Sequence, residues 1–89
     1  MAIRLARAAH ADLAALRRHI GQENPAAATR IAIQILAACD TLEYLPERGR
    51  PGRYPGTPEI AAVWPYVIVY RIEAAGVVIL RIWHGAQER

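Results

Sequence analysis

Several residue types are scarce or missing in this chain of 89 residues. Its single cysteine, Cys39, cannot form an internal disulfide or a two-cysteine metal site, and we expect it to be a small buried hydrophobe. His10 and His19 carry no metal-ligand signature, so no metal is predicted. No apolar run approaches the ~20 residues of a membrane span, and no signal segment opens the chain, because Arg4 and Arg7 interrupt its start. We therefore expect a cytoplasmic protein.

Lysine and phenylalanine are absent, and all eleven basic residues are arginine, with a formal net charge of +3. Arginine presents a planar fork to carboxylates and to phosphates, so this basic surface suits an acidic protein and a nucleic acid equally. The lack of phenylalanine counts against an RNA-recognition sheet, which stacks bases on the aromatic side chains of its central strands.

The length suits one domain, which we place over residues 1–89. A composition of 54% hydrophobic and 21% charged residues is typical of a globular protein. Alternating apolar and basic residues predict a first strand over residues 2–7. Apolar residues at helical spacing then predict an amphipathic helix over residues 9–22.

A second helix is predicted from Asn24, a capping residue, and Pro25 at the first helical position. Its apolar stripe continues for about twenty residues, until Pro46 ends it. The short connection makes the two helices an antiparallel hairpin. The residues of the stripe that we expect to face a sheet are Ile31, Ile35 and Leu42.

An irregular segment and three strands complete the prediction. Residues 46–58 hold four prolines, three glycines and three arginines, which excludes regular structure. Strands are predicted over residues 59–64 and in a hairpin over residues 66–85. The order predicts an α+β fold: an N-terminal strand, the helical hairpin and a three-stranded antiparallel meander (β-α-α-β-β-β), with the helices on one face of the sheet.

In the predicted hairpin, a turn between residues 74 and 75 places Tyr70 opposite Ile79 and Tyr66 opposite Trp83. Both faces are then largely apolar, which exceeds what a sheet covered on one side requires. We expect a partner to cover part of the second face, although a bulge would shift the register. That second face carries Val67, Val69, Arg71, Val78, Leu80, Ile82 and His84.

The loop PERGRPGRYPGT, the strand YVIVYRI and the ending VVILRIWHGAQE, in this order after a strand and two helices, resemble the RelE/ParE superfamily of bacterial type II toxins. The similarity covers essentially the whole chain. The ending RIWHGAQE is similar to that of ParE-like, or plasmid stabilisation, members. The resemblance implies a small cytosolic toxin without a cofactor, held inactive by a cognate antitoxin encoded in the adjacent gene.

Two modes of action follow from the resemblance. ParE-like members bind DNA gyrase and stabilise its cleavage complex without being enzymes. RelE-like members cleave messenger RNA on the ribosome, a reaction that needs proton transfer and cations around the phosphate. Here Val67 occupies a strand position that often carries arginine in RelE-like toxins, and Ala86 and Gln87 stand where a further basic residue is common. We therefore favour action on gyrase, with a ribosome-dependent endoribonuclease as the alternative.

The candidate catalytic residues that remain are Arg71, Arg81 and His84. The two arginines are also explained as strand residues that pair with Glu73 and Glu88. A histidine without an identifiable partner residue more often forms a structural hydrogen bond than transfers protons.

The densest basic cluster lies in the irregular segment, where a contact surface and a solvated loop are equal alternatives. We expect core packing for at least one of the two tryptophans, Trp64 and Trp83. The candidate residues for contact with a target or partner are Arg48, Arg50, Arg53, Tyr54 and Trp83.

Overall fold

The computed structural model describes residues 2–85, and the order of its elements confirms the predicted α+β fold. The elements are β1 (Ala2–Leu5), α1 (Arg7–Gly21), α2 (Pro25–Asp40), β2 (Glu59–Val63), β3 (Tyr66–Glu73) and β4 (Gly76–His84). The strands form one sheet in the order β1-β4-β3-β2, in which β1 runs parallel to β4 and the other neighbours are antiparallel.

Helix α2 begins as predicted but ends earlier. The side chain of Asn24 accepts a hydrogen bond from the backbone N–H of Ala27 at 3.0 Å and so caps the helix. The predicted helical stripe runs beyond Asp40, yet there the chain tightens into a 3₁₀ turn over Thr41–Glu43. The hydroxyl of Thr41 donates to the carbonyl of Ala38 at 2.6 Å at this point. The prediction of helix up to Pro46 was therefore wrong.

The core lies between the helical hairpin and one face of the sheet. Helix α1 packs on β4, and α2 packs on β2. Ile35 and Leu42 are fully buried, and Ile31 packs against the same cluster at partial exposure, which confirms the predicted core face of α2. Cys39 is buried as predicted, and this burial raises the pKa of its thiol to about 12.

The pairing of β3 with β4 follows the prediction near the turn of the hairpin and differs from it towards the other end. The pairing of Tyr70 with Ile79 is confirmed, but β4 then contains one extra residue, so Tyr66 lies opposite His84 and not opposite Trp83. A slip of one residue exchanges the two faces of a strand. The predicted faces were therefore wrong for the end of β4, where Ile82 and His84 lie on the helix side, and Arg81 and Trp83 on the open side.

The open face of the sheet is apolar but is covered largely by the chain itself. Val67 and Val69 are buried although they lie on the side away from the helices. They stand opposite Trp83 and Arg81 respectively, and directly opposed side chains on one face are in contact. The exposed large apolar side chains therefore lie elsewhere, and they include Trp64 in the turn after β2.

Candidate functional site

The end of the sheet where β4 stops carries His84. Its exposed imidazole meets the ring of Tyr66 edge to face, with 5.6 Å between the ring centroids and 83° between the planes. Both side chains border a cleft of about 340 Å³ between α1 and the sheet, which Asp12 and His19 also line. Two histidines and a tyrosine thus share the margin of one cleft.

Arg81 is fixed at the edge of β4 by Asp12 of α1. Its Nε and Nη2 donate to the two carboxylate oxygens at 2.7 and 3.0 Å, and the backbone N–H of Ile82 donates to the same carboxylate at 2.9 Å. These hydrogen bonds raise the pKa of Arg81 above its ordinary value. The guanidinium also lies 4.9 Å from the centre of the Trp83 ring. The predicted partner Glu88 lies outside the described residues, within which Arg81 pairs with Asp12.

Arg71 pairs with Glu73 as predicted, through hydrogen bonds of 2.9 Å from Nε and 2.6 Å from Nη2. It lies five positions along β3 from Tyr66, which lies opposite His84. At ~3.4 Å per residue, Arg71 is roughly 17 Å from that end of the sheet. Arg71 is therefore remote from the cleft that His84 borders, whereas the guanidinium of Arg81 is hydrogen-bonded to Asp12, which lines that cleft.

Residues 46–58, called here the arginine loop, have more regular structure than predicted. They contain a 3₁₀ turn at Pro46–Arg48 and a strand-like bridge between Arg50 and Glu59. The hydroxyl of Tyr70 anchors the loop, because it accepts from the Gly49 N–H at 2.9 Å and donates to the Pro46 carbonyl at 2.7 Å. Burial raises the pKa of Tyr70. The hydroxyl lies so close to Gly49 that a side chain at that position would collide with it.

The three arginines of this loop, Arg48, Arg50 and Arg53, are all exposed. A terminal nitrogen of Arg50 lies 3.8 Å from the carboxylate of Glu59. The guanidinium of Arg53 lies 5.7 Å from the ring centre of Tyr54, which is also exposed. Four of the five predicted contact residues therefore lie on one surface segment, while Trp83 is half-buried on the open face of the sheet.

The expectation that at least one of Trp64 and Trp83 packs in the core was wrong, and Asp12 was not predicted as a site residue. The side chain of Trp64 is 86% exposed, and Trp83 lies on the face away from the helices, so neither tryptophan packs in the main core as expected. The exposure of Trp64 could have been predicted from its position before Pro65 in a two-residue turn, because turns lie at the surface. No short sequence pattern identifies Asp12 as an ion-pair partner, because Arg81 is 69 residues away in the chain.

The described part of the chain lacks both a metal-binding cluster and a membrane-spanning helix. Within residues 2–85, no three side chains of histidine, cysteine, aspartate or glutamate lie together in a way that could hold a metal ion. Neither helix over the same residues has the length and apolar character needed to cross a bilayer.

The fold and the family comparison together define the class. A family model described as the ParE toxin of the type II toxin–antitoxin system parDE matches residues 3–89. The chain is thus a toxin of the RelE/ParE superfamily, as its sequence motifs predicted. It belongs to the ParE toxin family.

Similar proteins carry names from both branches of the superfamily. Toxin RelE2 of Caulobacter vibrioides is 44% identical over 77 residues, with 86% of each chain covered. The putative toxin Y4kP of Sinorhizobium fredii is 41% identical over 83 residues, with 85% of each chain covered. These names alone do not separate the two modes of action.

Solved structures agree with the fold. The chromosomal ParDE toxin–antitoxin system from P. aeruginosa has a TM-score of 0.87 at 27% identity and covers 94% of this chain and 95% of that chain. The toxin–antitoxin complex RelBE2 from Mycobacterium tuberculosis has a TM-score of 0.67 at 28% identity, with 92% and 94% covered.

Proposed function

We propose that this toxin inhibits DNA gyrase by binding to it, without catalysing a reaction, and that a cytoplasmic antitoxin encoded in the adjacent gene neutralises it. The observation that carries the proposal is the distance of Arg71 from His84, together with the ion pairs that engage Arg71 and Arg81. Cleavage of RNA needs proton-transfer groups and cations around one phosphate. Here both arginines are held in ion pairs at different places on the sheet, whereas inhibition by binding needs no such convergence.

The antitoxin is supported by the two solved relatives, which are named as toxin–antitoxin systems. It is also supported by the surface of this chain. Trp64 and Ile33 are large apolar side chains with most of their area exposed, and the arginine loop lies on the same side of the fold as β2. An amphipathic, partly acidic segment would bury the apolar groups and pair with arginines at the rim.

The second candidate function is the RelE-like endoribonuclease. Two relatives named toxins RelE2 and RelE1, at 44% and 39% identity, favour it. The pair of His84 and Tyr66 beside an open cleft also favours it, because these are side chains that can transfer a proton. In that case His84 would be the acid or base of the reaction.

The variant His84→Gln separates the two candidates, because glutamine keeps hydrogen-bonding capacity but cannot act as an acid or base. We expect growth arrest by this variant to remain close to that of the wild type, and messenger RNA on translating ribosomes to stay intact. His10→Gln, at an exposed histidine of α1, is the matched control. Ribosome-dependent cleavage that falls ~10²–10⁴-fold with His84→Gln and not with His10→Gln would establish the endoribonuclease instead.

A further inference from the structure

Three arginines lie on the open face of the sheet, and a fourth lies at its edge. They are Arg4 on β1, Arg71 on β3 and Arg50 in the arginine loop, with Arg81 of β4 at the edge. Arg4 and Arg71 stand in one row, on either side of Val78. Arg50 stands in the next row, beside Glu59. Paired strands are ~4.8 Å apart, so the arginines extend over roughly 19 Å across the sheet.

Each of these arginines forms an ion pair in which it is the more exposed partner. The pairs are Arg4–Glu73, Arg71–Glu73, Arg50–Glu59 and Arg81–Asp12, with N–O distances of 3.6, 2.6, 3.8 and 2.7 Å. Arg50 exposes 61% of its side chain, against 4% for Glu59. A guanidinium has five N–H donors, so each arginine keeps donors for an anion from solution while its carboxylate fixes its orientation. The face therefore directs oriented positive groups outward.

A nucleic-acid backbone fits this face better than an acidic protein segment does. Val67, Val69 and Val78 at its centre are already buried, so a protein laid over them would gain little of the apolar core that a stable interface needs. Contact with phosphates needs no such core, because charge neutralisation and the release of counterions drive it. The ~19 Å across the arginines corresponds to about five or six nucleotides of one DNA strand, at ~3.4 Å each.

We propose that the open face of the sheet binds the phosphodiester backbone of the DNA held by gyrase, through Arg4, Arg50 and Arg71 with Arg81 at the edge. The inference rests on the proposed action on gyrase and adds DNA as a second partner of the toxin. A toxin in contact with both the protein and its DNA opposes release of the DNA, which inhibits supercoiling without catalysis. Contacts with phosphates carry no sequence information, so the binding is independent of sequence.

The test measures the Kd of the full wild-type chain for a short duplex DNA of arbitrary sequence. We expect log Kd to rise with log salt concentration with a slope of about 3, at ~0.9 for each phosphate contacted. In the double variant Arg4→Gln/Arg71→Gln, the Kd at ~50 mM salt should rise at least tenfold and the slope should fall by about 2. Arg50→Gln alone, on a separate element, should lower the slope by about 1.

The matched control is Arg17→Gln/Arg18→Gln, which removes the same charge from exposed positions of α1. Helix α1 covers the opposite face of the sheet, so this control should change the Kd less than threefold. In supercoiling by purified gyrase, Arg4→Gln/Arg71→Gln should require at least tenfold more toxin for the same inhibition, and the control should match the wild type. Melting curves verify that both double variants are folded.

The outcomes distinguish this inference from the function on which it rests. Inhibition of gyrase that Arg4→Gln/Arg71→Gln leaves intact, by a chain that does not bind duplex DNA, overturns the DNA contact and keeps the action on gyrase. DNA binding that this variant loses, alongside undiminished supercoiling with the wild type, supports the phosphate-binding face and contradicts the action on gyrase.

Two other ligands of the same face are also resolved. Tighter binding to a single-stranded RNA than to duplex DNA of the same length assigns the face to RNA and overturns the proposal. Loss of affinity for the product of the adjacent gene in Arg4→Gln/Arg71→Gln, without DNA binding by the wild type, assigns the face to an acidic protein and overturns it as well.

Discussion

The carboxylate of Asp12 joins α1 to the part of β4 that β1 no longer covers, and its removal is expected to destabilise the fold. In Asp12→Ala, the N–H of the buried residue Ile82 loses its acceptor, which costs about 1–3 kcal/mol. Arg81 also loses two hydrogen bonds, but its side chain is 42% exposed, so solvent screening limits that loss to at most ~1 kcal/mol. The free energy of unfolding should fall by about 1–4 kcal/mol in total.

For a domain of this size each kcal/mol lost lowers the Tm by roughly 4–8 °C, which thermal or urea denaturation would resolve. Asp12→Asn keeps an acceptor for the Ile82 N–H but loses the charge and one hydrogen bond from Arg81, and because that side chain is half-exposed it should cost about 1 kcal/mol. Glu23→Ala removes an exposed carboxylate just beyond α1 and should stay within ~0.5 kcal/mol of the wild type. The reasoning is refuted if Asp12→Ala is as stable as Glu23→Ala.

Two further predictions concern the core. Ile35→Ala should lower the free energy of unfolding by about 2–5 kcal/mol, because Ile35 is 0% exposed. The control Ile33→Ala lies on the same helix at 60% exposure and should cost less than ~1 kcal/mol. Equal melting curves for the two variants would mean that the buried face of α2 is misassigned. Burial raises the pKa of the Cys39 thiol from 9.0 to about 12, so the unfolded chain ionises first and stability should decline as the pH rises through this interval. Urea titrations from pH 8 to 12 would show the decline in the wild type, and it should be smaller in Cys39→Ala; identical slopes for the two proteins would contradict the assignment.

The order of elements was predictable because each carries a local signal. Asn24 and Pro25 mark the start of α2, and proline and glycine mark the arginine loop. The end of α2 was not predictable, because an apolar stripe continues with almost the same spacing through a helix and the 3₁₀ turn that follows it. Leu45 extends the stripe in sequence, yet its side chain is exposed.

The register of β4 was not predictable for a related reason. Alternation between apolar and polar residues is what fixes the face of a strand, and the stretch from Val77 to Ile82 is apolar at nearly every position. The sequence of β4 therefore does not show which of its residues face the core. One extra residue in the strand leaves the run of apolar residues looking the same. The pairing of Arg71 with Glu73 was predictable, because residues two apart on a strand share a face. The contact of Arg81 with Asp12 depends on the packing of α1, which no local pattern encodes.

The central claim is that this ParE-family chain acts by binding gyrase, and supercoiling of relaxed DNA by purified gyrase tests it most directly. We expect the wild type and His84→Gln to inhibit supercoiling at the same concentration, since binding to gyrase involves no proton transfer. Undiminished supercoiling in an excess of folded wild-type chain, alongside cleavage of messenger RNA on translating ribosomes that His84→Gln abolishes, would contradict the account.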